Sequence, residues 1–122
     1  MANSFRLITK DVAPASAGTP ETLYTCPSST TAIVLGLILT NMHTQVVTAD
    51  VILSSDTTTS TNTGAAANNT DCFLLNDTPI PEGSTLEILS GNKLALQTTD
   101  ILKIDCSIAD KVSVALTSME IT

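Results

Sequence analysis

Apolar and polar residues alternate with a period of two along most of this chain. Turn residues interrupt the alternation roughly every eight to twelve positions. The pattern is clearest between residues 79 and 108 (PIPEGSTLEILSGNKLALQTTDILKIDCSI). Pro81-Glu82-Gly83-Ser84 reads as a turn, because proline presets φ and glycine two positions on accepts φ > 0. A strand at 85–89 follows, and a second turn at Ser90-Gly91-Asn92. Leu94 and Leu96 then alternate with Ala95 and Gln97. After Thr98-Thr99-Asp100 the apolar set is Leu102, Ile104, Cys106 and Ile108, with Lys103, Asp105 and Ser107 between them. Short alternating runs with turns this close predict an antiparallel sheet with one buried face.

The rest of the chain fits the same scheme. Residues 4–9 (SFRLIT) predict a first strand with Phe5, Leu7 and Thr9 on one face. Residues 13–20 (APASAGTP) have linker composition. They make 1–20 either an N-terminal arm and linker that reaches a neighbouring subunit or a surface loop within one subunit. Residues 21–26 predict a short strand. Residues 30–42 (TTAIVLGLILTNM) are apolar on both faces, with Ile33, Leu35, Leu37 and Leu39 on one and Val34, Gly36 and Ile38 on the other. Such a strand is expected to be covered twice, the second time by another subunit. Residues 45–54 run back with Val47, Ala49, Val51 and Leu53 on one face. Residues 55–71 (SDTTTSTNTGAAANNTD) hold no large apolar residue and read as a long polar loop. A short strand is expected at 72–75. The last, 112–121, changes parity between Leu116 and Met119, which predicts a bulge near Thr117-Ser118. The sum is about nine strands and no helix. The expected fold is one all-β domain over residues 1–122, an antiparallel β-sandwich, jelly-roll-like.

Composition narrows the partners. A formal charge of −7, with only five Lys and Arg, argues against nucleic acid and anionic membranes. The longest apolar run, 32–39, is far short of a membrane span, and residues 1–11 lack the apolar core of a signal peptide. Cys26, Cys72 and Cys106 have neither zinc-site spacing nor an even count, and read as small buried hydrophobes. A Cys72–Cys106 disulfide is the alternative. There is no Trp, and Phe5, Tyr24 and Phe73 are too few for sugar stacking; they are assigned to the core.

No catalytic or cofactor motif is found. His43 is the lone histidine and lies in a predicted turn. The aspartates form no calcium loop, and Asp100 is expected to bond a turn backbone. Neither an enzyme nor a cofactor protein is expected. What remains is surplus apolar surface, best buried against copies of the chain or a larger assembly. The expected contact residues are Phe5, Arg6 and Lys10 in the arm, and Val34, Ile38 and Ile52 on second strand faces.

The combined pattern resembles small virion structural proteins of tailed bacteriophages, particularly those of cyanophages. The segments that carry the resemblance are FRLITK (5–10), TLYTCPS (22–28), AIVLGL (32–37), PIPEGSTLE (79–87), GNKLAL (91–96), DILK (100–103) and MEIT (119–122). They run through nearly the whole chain, although the loop at 55–71 is longer than in such proteins. The resemblance implies a non-enzymatic virion component, made in the host cytoplasm and assembled as a homo-oligomer, a dimer or trimer. A capsid decoration (cement) protein bridging major capsid protein subunits is the leading expectation. A tail, neck or fibre-attachment component is the second, and a receptor- or carbohydrate-binding module the third.

Overall fold

The computed structural model describes residues 2–55, 69–89 and 92–122. Its strands are β1 (Asn3–Ala13), β2 (Glu21–Thr25), β3 (Thr31–Asn41), β4 (Val47–Ser54), β5 (Cys72–Ile80), β6 (Thr85–Ile88), β7 (Leu94–Leu96), β8 (Ile101–Cys106) and β9 (Val112–Ile121). The pairing begins as one long antiparallel ribbon: β1 with β9, β2 with β8, β3 with β6 and β7, β4 with β5. The ribbon is rolled so that β9 also pairs with β3, and β8 with β4. Two sheets result, β1-β9-β3-β6 with β7 beside β3, and β2-β8-β4-β5. This is the winding of a jelly roll, and the expected β-sandwich class is the observed one.

The period-two pattern places the core. Val47, Ala49 and Val51 of β4, Leu102, Ile104 and Cys106 of β8, and Val112, Val114 and Leu116 of β9 all point between the sheets. Leu37, Leu39, Ile80 and Leu96 complete an almost wholly aliphatic interior. β-Branched and γ-branched side chains on facing pleats give that core its packing.

The parity change falls on a different strand from the one expected. Val34 lies opposite Ser118 and Gly36 opposite Thr117, so Leu35 is the extra residue of a bulge in β3. Ala32 and Val34 point inward before the bulge, and Leu37, Leu39 and Asn41 after it. β9 keeps one parity to its end and turns Ser118 and Glu120 inward. A hydrophobicity count favours the opposite arrangement, because it cannot know that partners await the Glu120 carboxylate inside. Val34 is therefore core, 0% exposed, and not the contact residue expected of it.

Residues 2–20 lie against their own subunit. Asn3 to Lys10 pair without a break with Ile121 to Val114 of the same chain. The linker folds back on its own subunit: Ala15 N donates to Glu21 Oε1 (2.7 Å), Gly18 N to Asp105 Oδ1 (2.9 Å), and Asp110 N to the Pro14 carbonyl (2.9 Å). β5 extends to Ile80, five residues past the expected strand end at Leu75. Most of the expected polar loop, residues 56–68, lies outside the described residues, as do positions 90 and 91 of the second turn. The loop's flanks are tied together by Ser54 Oγ to Asp71 Oδ1 (3.0 Å) and Asn69 Nδ2 to Ser55 Oγ (3.2 Å).

Candidate interaction surface

Directly opposed residues of antiparallel strands point to the same face. With Val112, Val114, Leu116, Ser118 and Glu120 inward, the outer face of the five-stranded sheet follows from register. β1 supplies Asn3, Phe5, Leu7 and Thr9, and β9 supplies Ser113, Ala115, Thr117, Met119 and Ile121. β3 supplies Thr31, Ile33, Ile38 and Thr40; Thr85 and Glu87 of β6 and Ala95 of β7 complete it. Glu87 is the single charged residue among these positions. Phe5 and Leu7 are each 72% exposed and Ile38 37%. A shallow groove of about 340 Å³ runs over Thr9, Ile38, Thr40 and Ala115, with Lys10 and Asp11 at its end. Four strand spacings by the length of β9 give this face about 600 Å² in projection.

The other sheet presents a different exterior. Asp50 and Ile52 of β4 oppose Asp105 and Lys103 of β8. The two aspartates accept backbone N–H groups, Asp50 from Asp77 and Asp105 from Gly18 and Cys106. Among the described residues no group of three His, Cys, Asp or Glu is arranged to hold a metal ion.

Buried polar groups tie strands together. Glu120 of β9 accepts the Tyr24 hydroxyl from β2 at 2.6 Å and the Arg6 Nε–H from β1 at 3.1 Å. The Tyr24 bond, helped by Arg6, holds the Glu120 carboxyl below the usual range. Burial, then the Glu120 hydrogen bond and charge, push the Tyr24 phenol up. Ser118 Oγ, beside Tyr24, is buried without a hydrogen-bond partner of good geometry. At the opposite end Asn41 Nδ2 donates to the carbonyls of Gln45 (2.9 Å) and Ile80 (2.8 Å), while its Oδ1 accepts His43 N (2.8 Å). Asp100 caps its turn as expected, accepting Gln97 N (2.9 Å), and also takes the Ser55 hydroxyl (2.6 Å).

Apart from the buried Val34, the expected contact residues separate into three groups. Phe5 and Ile38 share the outer face of the five-stranded sheet. Arg6 and Lys10 lie on the flank, Arg6 on Glu120 and Lys10 Nζ 4.0 Å from Glu21 Oε2. Ile52 is half-buried on the opposite sheet, paired with Phe73, which is exposed. Phe5 and Phe73 are thus surface residues and Tyr24 alone of the aromatics is core. The sequence reading missed Leu7, Met119 and Ile33 as parts of the surface. The shared parity of Phe5 and Leu7 is the available signal. Cys26 and Cys106 are buried and Cys72 is exposed; all three are free, so the Cys72–Cys106 pairing does not occur. The chain matches no family model and no curated protein.

Proposed function

We propose that this chain is a non-enzymatic structural protein of a virus particle. In this reading it is a decoration protein that sits on the shell of the major capsid protein, held through the outer face of its five-stranded sheet. The observation that carries the docking role is that face, with one charge among its outward positions and with Phe5 and Leu7 standing in water. Large exposed apolar side chains gathered on one sheet face, here Phe5, Leu7 and Ile38 among mostly uncharged polar neighbours, mark partner sites. Its projected area approaches the roughly 800 Å² per partner of a standard interface. The particle assignment rests on the resemblance to tailed-phage virion proteins. Jelly rolls serve viral capsid and lectin domains alike, so the winding itself favours neither. The buried polar groups Glu120, Asn41 and Asp100 are engaged in holding strands, which fits a scaffold.

The test uses particles stripped of this protein, with the purified chain added back and co-sedimented. The wild type is expected to bind in large, saturable numbers. Ile38→Asp and Thr117→Asp, both at positions facing water, are expected to bind at least tenfold more weakly with nearly unchanged melting temperatures. Equal binding by these variants would remove the face from the account. Saturation at a handful of copies would favour the tail, neck or fibre position instead.

A further inference from the structure

The edges of the two sheets are not alike. β2 is five residues long and its pairing is broken between Thr22 and Tyr24. β5 carries two register breaks and Pro79. β6 and β7, which both pair with β3, are four and three residues long. Shortness, bulges and proline are the devices that keep a sheet edge from adding another strand. β1 shows none of them from Asn3 to Lys10. Its cations are each held by a carboxylate of the same subunit, Arg6 by Glu120 and Lys10 by Glu21, with both side chains about half exposed.

The ladder fixes which backbone groups of β1 are free. Ala2 and Thr122 exchange both hydrogen bonds (3.3 and 3.0 Å). Exchanging pairs alternate with non-exchanging ones in an antiparallel ladder. Counting along the register, Ser4, Arg6, Ile8 and Lys10 exchange with Glu120, Ser118, Leu116 and Val114. The N–H and C=O groups of Asn3, Phe5, Leu7 and Thr9 therefore point away from β9, to the open edge. The same four residues carry their side chains to the outer face of the sheet.

We propose that β1 pairs antiparallel with β1 of a second copy, across a two-fold axis through Leu7. An antiparallel edge is complementary to itself about such an axis, which makes a second copy the natural occupant. Centring on Leu7 sets Leu7 against Leu7 and Phe5 against Thr9, for about six new main-chain hydrogen bonds. Arg6 then meets Ile8, and Lys10 meets Ser4, so no like charges are opposed. A seam centred on Arg6 would press two guanidinium groups together. The pairing joins both five-stranded sheets into one continuous sheet and doubles the outer face. It is a property of the isolated chain and holds whatever that face docks on.

Sedimentation equilibrium over micromolar to submillimolar concentrations, with amide exchange read by NMR, tests the seam. The wild type is expected at twice the 12.7 kDa chain mass. Its Phe5, Leu7 and Thr9 amides are expected to be protected together with Arg6, Ile8 and Lys10. In Leu7→Pro the lost N–H is one that bonds nothing within the subunit, so the β1–β9 ladder survives while the seam loses a donor. Leu7→Lys keeps the N–H and adds an edge guard. Both variants are expected to dissociate at least tenfold more readily, with exchange of the Phe5 and Thr9 amides freed and that of Ile8 unchanged. A monomeric wild type, a trimer, a dimer unaffected by both variants, or freely exchanging Phe5 and Leu7 amides in a persistent dimer would each overturn the proposal.

Discussion

Tyr24→Phe isolates the bond that joins the two sheets at the β1 flank. The substitution keeps the ring in the core and deletes only the hydroxyl, which donates to Glu120 Oε2 at 2.6 Å. Hydrogen bonds to charged groups contribute about 1.5–3 kcal/mol. The remaining partner, Arg6, is largely exposed and bonds the other oxygen, so it compensates little. A loss of about 2 kcal/mol is therefore expected at neutral pH. With an unfolding entropy of about 2.1 cal/mol/K per residue, a chain of this length shifts by about 4 °C per kcal/mol, or about 8 °C here. The loss must depend on pH. The folded Glu120 pKa lies below its unfolded value. Its stabilisation is complete above the unfolded value, about 4.3, and disappears as pH falls through the folded one. Below that range Tyr24 bonds a neutral acid, and the gap between wild type and Tyr24→Phe is expected to narrow to about 1 kcal/mol. The phenol gives the opposite limb. Its folded pKa is raised, so its contribution is full below about pH 10 and falls above it, and the variant lacks that alkaline loss. Thermal melts by circular dichroism at pH 2.5, 7 and 10.5 measure all three. A shift under 2 °C at pH 7, or a gap constant across the acid range, would refute the reasoning.

Three further outcomes follow from the interior. Leu37→Ala, at a fully buried site facing the second sheet, is expected to cost about 2–5 kcal/mol, measured by urea titration. Asn41→Ala leaves the Ile80 carbonyl and His43 N–H without their partner, and is expected to cost about 2–4 kcal/mol in the same assay. Cys72 is expected to react with a maleimide in the native protein, while Cys26 and Cys106 react only after unfolding; burial pushes the Cys106 thiol up to about 12.

The fold was legible because buried faces are periodic. β4, β8 and β9 as far as Leu116 show their core residues at every second position, and the Pro81-Glu82-Gly83-Ser84 turn announces itself through proline and glycine. β3 was harder, since an apolar residue at nearly every position hides which parity points inward, and the bulge at Leu35 is invisible without its partner strand. The inward course of β9 past Leu116 is hidden for a related reason. A carboxylate at an inward position looks like an outward one until Tyr24 and Arg6, distant in sequence, are brought to it. Strand order was not derivable either, because alternation says which face a residue occupies and nothing about its neighbours across the sheet. The candidate surface was half visible. Ile38 follows from the two-faced apolar strand, whereas Phe5 is expected both in the core and at a contact and Leu7 is given no role, because hydrophobic alternation looks the same whether the apolar face meets the core or a partner.

The central claim is that this sandwich coats a particle in bulk. Quantitative mass spectrometry of purified virions, against the major capsid protein, measures its copy number directly. The account predicts hundreds of copies in a simple ratio to the major capsid protein. A handful of copies, in multiples of three, six or twelve, would contradict the decoration role and move the chain to the tail, neck or fibres, and its absence from the particle would contradict the virion assignment altogether.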